Sequence, residues 1–237
     1  MRDNPEIVWE MYQSLEKEFL NYLEYVPLSL QHYDVWSIPL VNLFNNIGSS
    51  VDSFCKNAIV CDSLNNFPDI DLIRTNDRLH NMISYRKIFE TRYKVSTRQI
   101  FELKNFTPII PFKEWSSEES APEWWGRYTD IKHNRFEYKE RATLKTTMDA
   151  LAGLFLLFLS HKETLSTLID LNLMHSQLTR DCYKPILIEG PPFSNLGPHR
   201  IYFKTALFGY VFANTEFPIE DRDKIRMLSP GYQGYGY

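Results

Sequence analysis

Arg127 and His133, with Lys132, Asn134 and Arg135 around them, are the residues in this chain whose types and spacing suit chemistry on a phosphate. Arginine offers a permanently charged planar fork that matches two phosphate oxygens. Histidine exchanges a proton near neutral pH, as a general acid or base must. No metal-binding carboxylate cluster accompanies them. Phosphodiester cleavage here would therefore draw its nucleophile from a ribose 2′-hydroxyl, which makes RNA the substrate. On a helix at about 100° per residue, Arg127 and Asn134 fall near one line, with Asp130 about 60° to one side and His133 further round. Arg127 and His133 are the candidate catalytic pair, and Lys132, Asn134 and Arg135 the candidate substrate contacts.

A second reading of the same residues is a solvated helix end. Glu123 stands four residues before Arg127, the spacing of an ion pair along a helix. Trp124 and Trp125 suit either stacking on bases or anchoring the helix start in a core. The stretch Arg74 to His80, RTNDRLH, repeats the arginine–histidine spacing in a segment read as a loop and helix start. The alternative to a nuclease is thus a non-catalytic binding or interaction protein that uses this helix head as ligand or partner surface.

The tract Trp124-Trp125, Tyr128, Lys132-His133 and Arg135, at the head of an apolar helix, resembles uncharacterised bacterial proteins with a W-W-x-x-Y-x-x-x-K-H-x-R pattern. More distantly it is similar to the HEPN superfamily (higher eukaryotes and prokaryotes nucleotide-binding). Many HEPN members carry R-x(4-6)-H and act as metal-independent endoribonucleases of defence or toxin systems, usually as homodimers with the two motifs at a shared cleft. The resemblance covers residues 36–160. It implies a HEPN-like helical bundle in which Arg127 stabilises phosphate and His133 is the general acid or base. Tyr128 follows the arginine, where nuclease members commonly carry a small polar residue.

Other chemistries find little footing. His32, His161, His175 and His199 are isolated, without H-x-x-x-H or H-E-x-x-H, so no metal and no cofactor is expected. EGPPFSNLGP has neither G-x-G-x-x-G nor a phosphate-loop lysine, and Ser194 lacks a G-x-S-x-G setting. Cys55, Cys61 and Cys182 form no C-x-x-C pair, which fits a reducing, cytoplasmic setting; Cys55 and Cys61 lie on an apolar helical pattern. A net charge of −4 gives no global positive field, and no DNA-binding motif is seen.

The elements that must position these residues are mainly helical. With 237 residues, 43% hydrophobic and 24% charged, the chain can bury one substantial core. Pro5 opens a first helix whose apolar residues recur at three and four to about Tyr25, and Ser37-Ile38-Pro39 opens a second through Ile59. Asn, Asp and Pro interrupt at 63–77, after which Leu79, Met82, Ile83, Arg86 and Phe89 mark a third. Pro108 and Pro111 mark an extended connector after a short strand at Gln99 to Leu103.

The stretch from Pro122 to Leu159 is expected to be the longest helix, with a break near Glu140. Its segment Ala150 to Leu159 is apolar on every face, so it is central or covered by a second subunit. That run is far short of the roughly 20 residues that span a bilayer. The acids near the N-terminus do not suit an export signal. A fifth helix is expected over Glu163 to Leu178. The reading is a helical bundle over residues 1–180 and a small irregular or β C-terminal extension over 181–237, packed on the bundle, in which IYFKTALFGYVF favours strands.

Overall fold

The computed structural model describes residues 4–60, 67–117, 120–170, 175–176 and 203–210. It is mainly α-helical with a small antiparallel sheet. Helix α1 (Pro5–Leu23) starts where Asn4 accepts a hydrogen bond from Glu6 N at 3.0 Å, with Pro5 in the first turn. Helix α2 (Ile38–Ala58) starts the same way, with Ser37 Oγ accepting from Leu40 N and Pro39 behind it. Both starts agree with the sequence, and α1 stops two residues before Tyr25.

Two short elements, α3 (Ile70–Thr75) and α4 (Met82–Tyr93), follow. The first lies inside the polar stretch read as a break, where Ile70 and Ile73 supply enough apolar surface to dock one turn. The second begins at Asn81, whose side chain accepts from Ile83 N and Ser84 N.

The expected long helix is three. Helix α5 (Glu123–His133), α6 (Arg135–Tyr138) and α7 (Leu144–Ser160) are separated at Asn134 and by a tight turn through Arg141. The second break, expected near Glu140, has a local cause, a cap, and a long-range one, two hydrogen bonds to the 33–35 loop. Thr143 and Thr146 close a reciprocal cap at the start of α7, and Leu144 N and Lys145 N donate to Val35 O and Tyr33 O at 2.8 and 3.1 Å. A fresh helix start with all these donors satisfied outcompetes continuation from α5.

Helix α7 is buried on every face from Ala150 to Leu159 and packs along α2, with α1 and α5 against its flanks. Trp9 and Tyr12 of α1 stack at 4.9 Å and meet Phe155 and Phe158. Helix α8 (Lys162–Asp170) follows after His161; the expected continuation to Leu178 does not occur, because His175–Ser176 is a strand.

The sheet comprises β1 (Ile100–Glu102), β2 (Thr107–Ile109), β3 (His175–Ser176), β4 (Phe203–Lys204) and β5 (Phe208–Tyr210), in the order β2-β1-β5-β4-β3 with antiparallel pairing throughout. Pro108 opposes Phe101 on the edge strand β2, the position in a sheet that tolerates a residue with no N–H. The C-terminal strands are therefore part of one sheet with the mid-chain connector. Of the expected extension over 181–237, only 203–210 falls within the described residues, as do neither Cys61, Cys182, Ser194, His199 nor EGPPFSNLGP.

Two buried carboxylates hold the turns of this sheet. Glu102 accepts from Lys104 N and Asn105 N at 2.6 and 2.8 Å, closing the β1–β2 turn. Glu16 of α1 accepts, on Oε1, from Tyr12 Oη at 3.0 Å, from Leu207 N at 3.3 Å and from Thr205 Oγ1. Burial pushes the carboxyls of Glu16 and Glu102 above their ordinary range, and these donors only partly offset it. Among the described residues no helix is long and apolar enough to cross a membrane.

Candidate functional site

Helix α5 is fixed by its aromatic residues. Trp124 Nε1 donates to Pro111 O at 2.7 Å, and its ring lies against Phe112 and α7, where a Cβ on Gly153 would stand 3.1 Å from it. Tyr128 lies flat on α2 at Gly48, whose missing side chain makes the room: a Cβ there would overlap the ring. The tyrosine is thus core, and Trp124 anchors the helix start.

This anchoring turns the charged residues outward. Arg127 is half-buried and donates to Glu123 Oε1 at 2.6 Å, the ion pair its spacing allows. Asp130 pairs with Arg141, and the Lys132 ammonium sits over the Tyr128 ring at 5.6 Å. His133 is exposed at the C-terminal end of α5.

Asn134 leaves the helix, at φ −144° and ψ 79°, and instead caps α6, accepting from Glu137 N at 3.4 Å and donating to Glu137 Oε2 at 2.5 Å. The single helical wheel that put Asn134 in line with Arg127 therefore ends at His133. Arg135 donates across to Asn42 Oδ1 on α2 at 3.3 Å. Phe136 stands beside them, 88% exposed.

Arg127 and His133 are six positions apart, which on α5 means about 9 Å along the axis and about 120° around it. Arg127, but not His133, lines a cleft of about 480 Å³. The cleft opens between the N-terminal ends of α5 and α7, the loop at Asp34, and the connector from Gln99 through Pro108 to Glu114. Its wall carries Lys145 bound to Asp149 at 2.5 Å, Arg127 to Glu123, and Lys113 to Glu114 at 3.7 Å. Burial raises the Asp149 carboxyl above its ordinary range even though Lys145 and Lys113 pull it down.

The structure keeps Lys132, His133, Asn134 and Arg135 together at the head of α5 and α6 and assigns Arg127 to a different surface. Sequence reasoning missed the cleft because its residues come from four separate segments. One signal was legible: Lys145 and Asp149 are the only charges in Leu144–Ser160 and stand four apart. The repeated spacing at Arg74 and His80 is structural. Arg74 Nε donates to Ile59 O at 2.7 Å, and His80 Nε2 lies 3.0 Å from Ile73 O.

Among the described residues no group of three or more His, Cys, Asp or Glu side chains is placed to hold a metal ion. Comparison with known proteins finds no matching family model, no matching curated protein and no matching solved structure.

Proposed function

We propose that this chain is a binding protein and that the cleft beside α5 and α7 is its ligand site. The observation that carries the reading is the separation of Arg127 from His133: one lines the cleft and is neutralised by Glu123, the other stands exposed at the far end of the helix. General acid–base cleavage of RNA needs the proton-transfer group and the phosphate-stabilising group on one phosphodiester. A cleft wall whose cations already stand beside carboxylates suits recognition of a ligand more than stabilisation of a developing charge.

A second reading has its own support. His133, Lys132, Arg135 and Phe136 are all exposed on one helix head, as a HEPN-like homodimer of cytoplasmic ribonucleases would need if Arg127 and His133 met across two copies. Incubation of wild-type and His133→Ala protein with single-stranded and structured RNA in excess chelator separates the two. The binding reading expects no cleavage, or equal background in both proteins. Cleavage to cyclic-phosphate ends that disappears in His133→Ala would overturn it, since a catalytic histidine contributes about 10² to 10⁴-fold.

A further inference from the structure

His161 joins two helices. Its N–H donates to Leu157 O at 3.0 Å and closes α7, and its carbonyl accepts from Leu165 N at 2.9 Å in the first turn of α8. The side chain between these two bonds is fully buried. Phe54 of α2 stands edge-on to the ring at 6.0 Å, and Tyr93 of α4 at 6.3 Å. Among the described residues neither Nδ1 nor Nε2 makes a hydrogen bond of good geometry. An imidazolium, with two N–H donors and a charge, would be buried here without the partners it needs.

The charges around the ring do not change this. Glu163 on α8 and the Ala58 carbonyl on α2 favour the protonated form, the amino-terminal charge opposes it, and burial outweighs them. Helix α4 presents the Tyr93 ring, and α7 carries no charged residue from Ala150 to Ser160. Relief does not require the core to open. Helix α8 is nine residues long and packs on α1 and α7, with Leu165 and Leu168 buried. Moving it away brings water to the ring while Phe158 of α7 keeps its contacts with Trp9 of α1 and Phe54 of α2. Opening one short helix costs less than unfolding the whole chain.

We propose that His161 is an acid-sensitive pin: protonation of its ring releases α8 from α1 and α7 while the rest of the helical core stays folded, uncovering Leu165 and Leu168. The proposal is independent of the cleft and of the binding reading. The closed state holds the neutral ring, so closure is full above the ordinary value of 6.5 and weakens as pH falls toward about 4. Over that window the opening constant rises about tenfold per pH unit, about 300-fold in all.

The test is hydrogen exchange of the full chain, read by mass spectrometry from pH 7 to pH 4.5 with labelling times scaled to the intrinsic exchange rate. In wild type, amides of 163–170 should be at least about tenfold less protected than those of 43–55 in α2, and should lose about a hundredfold in protection from pH 6.5 to pH 4.5. His161→Leu and His161→Gln place an apolar and a polar side chain that do not titrate, and circular dichroism at pH 7 identifies which of them folds. In a folded variant α8 protection should stay within about threefold over the same range. Equal protection of α8 and α2 at pH 7 would mean one cooperative unit and overturn the proposal. So would α8 protection that is flat with pH in wild type, or that falls as steeply in a folded variant.

Discussion

The Arg127 guanidinium reaches the cleft already held by the Glu123 carboxylate, one turn back on α5, at 2.6 Å. The pair is partly exposed, and such pairs along a helix are worth about 0.3 to 0.5 kcal/mol. Arg127→Ala should therefore shift the denaturation midpoint very little. A loss above about 1 kcal/mol would mean that Arg127 is structural, contrary to the account.

Gly48 should tolerate no side chain. A Cβ there overlaps the Tyr128 ring, which is wedged between α2 and α5 and has no flexible end to yield. Gly48→Ala is expected to cost about 3 kcal/mol in urea unfolding. The same substitution in a Tyr128→Ala background should cost much less, because the ring it strikes is gone.

His161 introduces acid sensitivity. It lies buried where α7 meets α8, edge-on to Phe54 at 6.0 Å and close to Tyr93. Neither ring nitrogen makes a hydrogen bond of good geometry, and burial lowers its pKa to about 4 against the favourable pull of Glu163 and the Ala58 carbonyl. The folded state thus prefers neutral histidine. The associated stability is present above the ordinary value of 6.5 and is lost as pH falls toward about 4, roughly 3 kcal/mol in all. His161→Leu should flatten this part of the pH–stability curve, read by urea midpoints from pH 7 to pH 4; an unchanged slope would contradict it.

Glu16 acts in the opposite direction. Its folded pKa lies above the unfolded value, so its stabilisation is full below the ordinary carboxylate range and declines as pH rises through the raised value. The donors from Tyr12, Thr205 and Leu207 converge on Oε1, which glutamine retains. Glu16→Gln should stay within about 1 kcal/mol of wild type near neutral pH, whereas Glu16→Ala should cost about 2 to 3 kcal/mol by leaving those donors unmet.

Legibility in the sequence followed the range of the determining contacts. The starts of α1 and α2 could be read from Asn4-Pro5 and Ser37-Ile38-Pro39, because a cap is decided within four residues. The central place of α7 followed from its apolar residues on all faces. The break expected near Glu140 falls at the turn through Arg141 before Thr143, whereas the break at Asn134 was not legible because it depends on the Asn134–Glu137 cap of a separate short helix. The sheet register and the cleft depend on pairings between residues near 100 and near 208, which no local period encodes.

The most direct test of the central claim is a backbone-amide NMR titration of the full chain with a single-stranded RNA oligonucleotide. With the cleft as the ligand site and no nuclease centre at His133, residues 132–137 should show no saturable shifts. Saturable shifts centred on 132–137 would contradict this and return the function to the His133 head.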